Sequence, residues 1–133
     1  MESQKNQSSY SNYLRLNDIS AYKMAFDLGN YVWNIVIQWD FFSKDTVGKQ
    51  FVKSVDSISA NIAEGFGRYG KKDKVKFYRY SLGSLKESLD WNEKSKVRNL
   101  INKETYDHIF HVLDNLPREI YSLINYTNDK LKY

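Results

Sequence analysis

The sequence predicts an all-α fold, an antiparallel up-down-up-down four-helix bundle. Three observations predict it. Apolar residues recur at steps of three, four and seven over long stretches, which lays them along one face of a helix instead of alternating them across a strand. Turn formers are scarce, with 6 Gly and 1 Pro in 133 residues, whereas a sandwich or barrel needs a cluster of them between each pair of short strands. The polar breaks are few and short, and short connections between long helices make sequential neighbours antiparallel.

Residues 1–18 open polar and rich in Ser, Asn and Gln, and predict a flexible N-terminal segment; residues 19–133 form the bundle domain. Tyr22, Ala25, Phe26, Val32, Trp33, Val36 and Trp39 share a helical stripe that predicts a first helix from about Ser20 to Phe42. The polar cluster Ser43-Lys44-Asp45-Thr46 then supplies a turn, with Asp45 or Thr46 as N-cap of the second helix. Phe51, Val52, Val55, Ile58, Ile62, Ala63 and Phe66 carry that helix from about Thr46 to Phe66. Gly65, Gly67 and Gly70 predict its end through a left-handed terminal turn.

Asp73 is the expected N-cap of a third helix bearing Phe77, Tyr78, Leu82, Leu85, Leu89 and Leu100 and running to about Asn99. Asn102 caps the fourth, with Glu104 in its first turn where a carboxylate meets the positive end of the helix dipole. Tyr106, Ile109, Phe110, Leu113, Leu116, Ile120, Leu123 and Ile124 stay in phase on both sides of Pro117. Proline costs a helix interior about 3 kcal/mol, yet the continuous stripe predicts one kinked helix from about Lys103 to Lys130. Two helices meeting at Leu116 are the alternative.

Composition narrows the function classes. The chain has no Cys, which removes disulfides, thiolate metal sites and cysteine nucleophiles. The N-terminus lacks the apolar core of a secretory signal, and no apolar run approaches the roughly 18 residues of a membrane span. The expectation is a cytoplasmic protein. A net charge of +4 permits binding to nucleic acid or an anionic surface without requiring it. Aromatic residues make up 16% of the chain, more than one small core needs, so some of the rings are available for an interface.

Motifs that suggest chemistry weaken on inspection. Gly65-Phe66-Gly67-Arg68-Tyr69-Gly70 matches the spacing of a dinucleotide-binding loop, but that loop follows a strand and opens a helix, whereas these glycines follow helical periodicity and stop it. His108, His111, Asp107 and Asp114 lie close together on the fourth helix, but a bundle metal site needs matching ligands from the other helices. No nucleophile, base and orienting group fall into a set. The expectation is a non-enzyme with no metal and no cofactor.

Two groups of residues remain as candidate sites. Ser57, Asn61 and Glu64 on the second helix, with Ser84 and Glu87 on the third, form facing polar rows expected to make a structural hydrogen-bonded network or a subunit contact. Arg68, Lys71, Lys72, Lys74, Lys76 and Arg79 form the most lopsided run of charge, interrupted only by Asp73 and interleaved with Tyr69, Phe77, Tyr78 and Tyr80. Cations neutralise phosphates and rings stack on unpaired bases, which makes this run a candidate nucleic-acid surface. A solvated helix face with its aromatics turned into the core is the alternative.

The stretch from Gly48 to Trp91 also carries a resemblance. Gly48-Lys49-Gln50-Phe51-Val52-Lys53, then Asp56-Ser57-Ile58-Ser59-Ala60-Asn61-Ile62-Ala63-Glu64-Gly65-Phe66-Gly67-Arg68, then Phe77-Tyr78 and Gly83-Ser84-Leu85-Lys86-Glu87 closely resemble the four-helix-bundle family encoded by intervening sequences of bacterial 23S ribosomal RNA genes. Tyr22-Lys23-Met24-Ala25-Phe26 and Trp39-Asp40 also fit, and the likeness fades after Asn99. Lys53-Ser54-Val55 departs from the Arg-Ala-Ala usual in the family. The resemblance implies an antiparallel bundle assembling as a homopentamer. A bundle related in fold, the accessory variability protein of diversity-generating retroelements, associates with nucleic acid and a reverse transcriptase. The resulting expectation is an oligomeric bundle that binds RNA or DNA, or alternatively a protein-interaction scaffold for an unidentified partner.

Overall fold

A computed structural model describes residues 15–133 of the chain. Most of the expected flexible segment therefore lies outside the described residues. Leu16–Asp18 form a short 3-10 turn, and Leu16 packs against the core. Four long helices follow among the described residues: α1 (Ser20–Val36), α2 (Lys49–Gly67), α3 (Lys71–Val97) and α4 (Lys103–Lys130). Each packs chiefly on two neighbours, α1 on α2, α2 on α3, α3 on α4 and α4 on α1, around one apolar core. No described helix is long and apolar enough to cross a membrane.

The first connection differs from its expected form. α1 stops at Val36, and Ile37–Trp39 turn the chain. Asp40 then caps a new helical start, its carboxylate accepting from the Ser43 N–H at 3.2 Å. That hydrogen bond, from side chain and backbone of Ser43, holds the carboxyl below the usual carboxylate range. Phe41–Ser43 make one α-turn and Lys44–Gly48 one π-helical stretch before α2 proper. Neither Asp45 nor Thr46 is the cap; the Thr46 hydroxyl donates back to the Phe42 carbonyl at 2.7 Å. The π stretch brings Gly48 against Val36 and Trp39, so closely that a Cβ at Gly48 would lie 2.6 Å from Val36 Cγ1.

The second connection corrects the expected left-handed turn, since no described glycine has positive φ. α2 ends at Gly67 because Arg68 turns extended, at φ −75° and ψ 153°. Gly65 serves a different purpose. A Cβ there would lie 2.7 Å from Tyr78 Cε1 and 2.9 Å from the Lys74 carbonyl oxygen, so the glycine lets α3 cross close beneath the end of α2. Asp73 lies inside the first turn of α3, and extended Gly70 occupies the N-cap position.

α3 ends through Asn99 at φ +58°, with Leu100 N–H donating to the Ser95 carbonyl and Asn99 N–H to that of Lys96. This left-handed C-terminal motif suits Asn because its short polar side chain tolerates positive φ. Asn102 caps α4 as expected, accepting from Thr105 N–H at 2.8 Å. α4 is one helix through Pro117. Its stripe of Ile109, Leu113, Leu116, Ile120 and Ile124 is buried on both sides of the proline, so packing offsets the lost backbone bond.

The core face of α3 is unusual. Tyr78 and Leu85 are joined there by buried Ser81, Ser88, Asn92 and Ser95, while the expected Leu82 and Leu89 only flank the core. All three serines satisfy themselves by donating to carbonyls one turn back, Ser81 to Tyr78, Ser88 to Ser84 and Ser95 to Trp91. Small side chains on this face let α2 and α3 approach. The stripe of α1 is likewise shifted: Ala21, Ala25, Leu28, Val32 and Val36 are buried, whereas Phe26 and Trp33 are exposed.

Candidate nucleic-acid interface

The basic run begins where α2 ends and occupies the first turns of α3, and helical geometry divides it. Lys71 and Lys74 turn inward. Lys71 Nζ donates to the carbonyls of Asn128 and Leu131, each at 3.1 Å, closing the end of α4, and its N–H bonds the Tyr133 carbonyl. Lys74 Nζ donates to the Phe66 carbonyl at 2.6 Å and lies over the Phe66 ring. Burial lowers the Lys74 pKa. Both ammonium groups thus satisfy helix C-terminal carbonyls, which favour cations through their hydrogen bonds and through the helix dipole.

Arg68, Lys72, Lys76 and Arg79 are exposed. Two of them converge on one ring: Arg68 Cζ lies 4.5 Å and Lys76 Nζ 5.3 Å from the centroid of Phe77. Tyr80 meets the same ring edge-on at 5.3 Å, and Tyr69 is 89% exposed. Arg68 and Lys76 also pair at the surface with Glu64 (3.4 Å) and Asp73 (3.7 Å). Exposed pairs of this kind are worth about 0–1 kcal/mol, so a phosphate can displace their carboxylates at little cost. Of the four interleaved rings, only Tyr78 is buried in the core, where loss of solvation pushes its pKa up to about 12 against the opposing effect of a Thr127 hydrogen bond.

The expected polar network does not join these helices through the expected atoms. Ser57 donates to Lys53 O and Asn61 to Ser57 O, both within α2, and Glu64 pairs with Arg68. On α3, Ser84 offers its carbonyl to Ser88, and Glu87 accepts from Trp91 Nε1 at 3.1 Å. The side-chain to side-chain bond between α2 and α3 runs from Ser88 Oγ to Ser54 Oγ at 3.1 Å. Ser54 stands where the resembled family has Ala, so the pattern alone did not point to it. Of the two histidines, His108 lies against the Tyr31 ring at 4.3 Å, and no described group of His, Asp or Glu is placed to hold a metal ion.

These features define a class: a small all-helical bundle with a cationic, aromatic surface at the junction of two helices. The pattern described as 23S rRNA-intervening sequence protein matches residues 17–122, and the chain belongs to that family. No curated protein matches the chain. Among solved structures it is similar to a protein of unknown function from the S23 ribosomal protein family of Bacteroides thetaiotaomicron, with a TM-score of 0.70 and 21% identity, over 78% of this chain and 97% of that one.

Proposed function

We propose that this chain is a non-catalytic, cytoplasmic homopentamer of antiparallel up-down-up-down bundles that holds RNA or DNA on the surface around Phe77. The convergence of Arg68 and Lys76 on the exposed side of that ring, with Lys72, Arg79, Tyr69 and Tyr80 around it, carries the nucleic-acid reading. Cations there neutralise phosphates while open rings stack on bases, a combination suited to single strands. The antiparallel arrangement is supported by pairs that retreat on one helix as they advance on the next: Gly65 lies against Tyr78 while Ser54 meets Ser88, and Tyr31 meets His108 while Ser20 bonds Glu119. The pentamer rests on the family resemblance.

The test is binding of a labelled single-stranded RNA or DNA pool across a salt series. Four phosphate contacts give a log–log slope of about −3. Replacing Lys72, Lys76 and Arg79 together with Gln should flatten that slope and weaken binding while leaving the fold intact. Binding that ignores both salt and these substitutions sinks the reading. The outcome then favours a protein-interaction scaffold, for which the solvent-facing Phe41 and Phe42, 77% and 74% exposed, are the supporting observation.

A further inference from the structure

The connection between α1 and α2 leaves a large apolar surface uncovered. Trp33 and Ile37 are about half exposed, and the strongly exposed Phe41 and Phe42 come four and five residues after Ile37. A groove of about 350 Å³ runs beside them, walled by Trp33, Val36, Ile37 and Val52 and rimmed by Lys44, Lys49 and Lys53. No acidic side chain lines it, and among the described residues neither Lys49 nor Lys53 has an ion pair. A soluble surface seldom leaves so many neighbouring large apolar side chains open unless something covers them.

A surface of matching character lies on the other side of the same molecule. Phe110 on α4 is exposed and stacks on Tyr106, whose hydroxyl donates to Glu93 of α3 at 2.7 Å, so the two rings flank the α3–α4 groove. Asp107 and Asp114 stand one turn either side of Phe110. Asp107 pairs only with the exposed Lys103, and Asp114 with no cation among the described residues. Because the helices pack in the cyclic order α1, α2, α3, α4, the α1–α2 groove and the α3–α4 groove lie on opposite sides of the bundle. They also lie toward the same end. Val36 touches Gly48 at the head of the first groove, Tyr106 bonds Glu93 in the second, and Tyr31 meets His108 between them.

We infer that the Trp33–Ile37 groove receives the Phe110 face of a second copy of this chain. The lysine rim meets Asp107 and Asp114, and the aromatic ring of Phe110 enters the apolar groove. Pairing of the groove with itself would set three lysines against three, which disfavours a two-fold dimer. A head-to-tail contact between two different patches closes into a ring where each copy is rotated by a fixed fraction of a turn from the last, and grooves toward the same end keep successive copies level. This contact rests on the ring proposed above and specifies its interface.

Light scattering coupled to size exclusion, with circular dichroism as a check on folding, tests it on the full chain. The charge reversals Lys49→Glu with Lys53→Glu, and separately Asp107→Lys with Asp114→Lys, should each weaken association by a factor on the order of 100. Combining all four in one chain should restore the wild-type mass. Folded double variants that keep that mass overturn the interface, as does a fourfold variant that stays dissociated. A wild-type protein that is monomeric at every concentration overturns the ring itself, a result distinct from both.

Discussion

The same substitution at different helical glycines should change stability in opposite directions, and Gly65→Ala is the informative one. In an open helix, Gly→Ala gains about 1 kcal/mol because alanine loses less backbone freedom on folding. At Gly65 the new Cβ would stand 2.7 and 2.9 Å from two ring carbons of Tyr78 and 2.9 Å from the Lys74 carbonyl oxygen. Tyr78 is 1% exposed and has no room to retreat, and the carbonyl belongs to the backbone of α3. Overpacking of this kind costs about 1–3 kcal/mol, and parting the close α2–α3 crossing adds to it. The net expectation is destabilisation by about 1–2 kcal/mol. At Gly83, inside α3, nothing lies within 4 Å of the added Cβ, so Gly83→Ala should stabilise by about 1 kcal/mol. With about 3–5 °C of Tm per kcal/mol for a domain of this size, thermal melts followed by circular dichroism should separate the two variants by roughly 6–15 °C. Urea titration checks the same difference at constant temperature. A Gly65→Ala protein at least as stable as wild type would falsify the close crossing.

Three further outcomes test other parts of the structure. Tyr78 keeps its proton up to about pH 12 in the folded chain but loses it near 10 when unfolded; its share of stability is therefore complete below pH 10 and falls by about 3 kcal/mol as pH rises to 12. Urea titrations across that range should show the fall, and Tyr78→Phe should reduce it. Asn102→Ala removes the acceptor for Thr105 N–H and should cost about 1 kcal/mol in the same assay, whereas Asp45→Ala, at a position that caps nothing, should not. Lys74→Gln should lower stability by about 1 kcal/mol, because its ammonium closes the end of α2, yet leave nucleic-acid binding close to wild type. The reverse pattern, stable but weakly binding, would return Lys74 to the binding surface.

The helices were legible because their signals are local. Asn102 followed by Glu104 and a stripe from Ile109 to Ile124 specifies the start, face and length of α4, and the phase of that stripe is unchanged across Pro117. The break after Val36 was not legible, since Ile37, Trp39, Phe41 and Phe42 continue an apolar pattern that reads as helix. Asp40 interrupts it by capping at 3.2 Å, a competition between two helical starts that periodicity does not weigh. The basic run was visible as composition, but its division was not. Lys71 and Lys74 turn inward only because the ends of α4 and α2 lie beside them, and which carbonyl ends arrive there is a property of the packed bundle.

Sequence alone thus determined the all-α class, the four helices and the family, because the hydrophobic period, the Asn102 cap and the Ser57-to-Arg68 motif are written within single segments. Tertiary structure decided which apolar residues are core and which are surface. Trp33 and Phe110 share the periodicity of their buried neighbours, and only the neighbouring helices determine how wide a stripe is covered. It likewise decided that Gly65 serves a close crossing and that Ser54 meets Ser88. Each of these depends on two segments meeting in space, and the physical constraint lies in the distance between them.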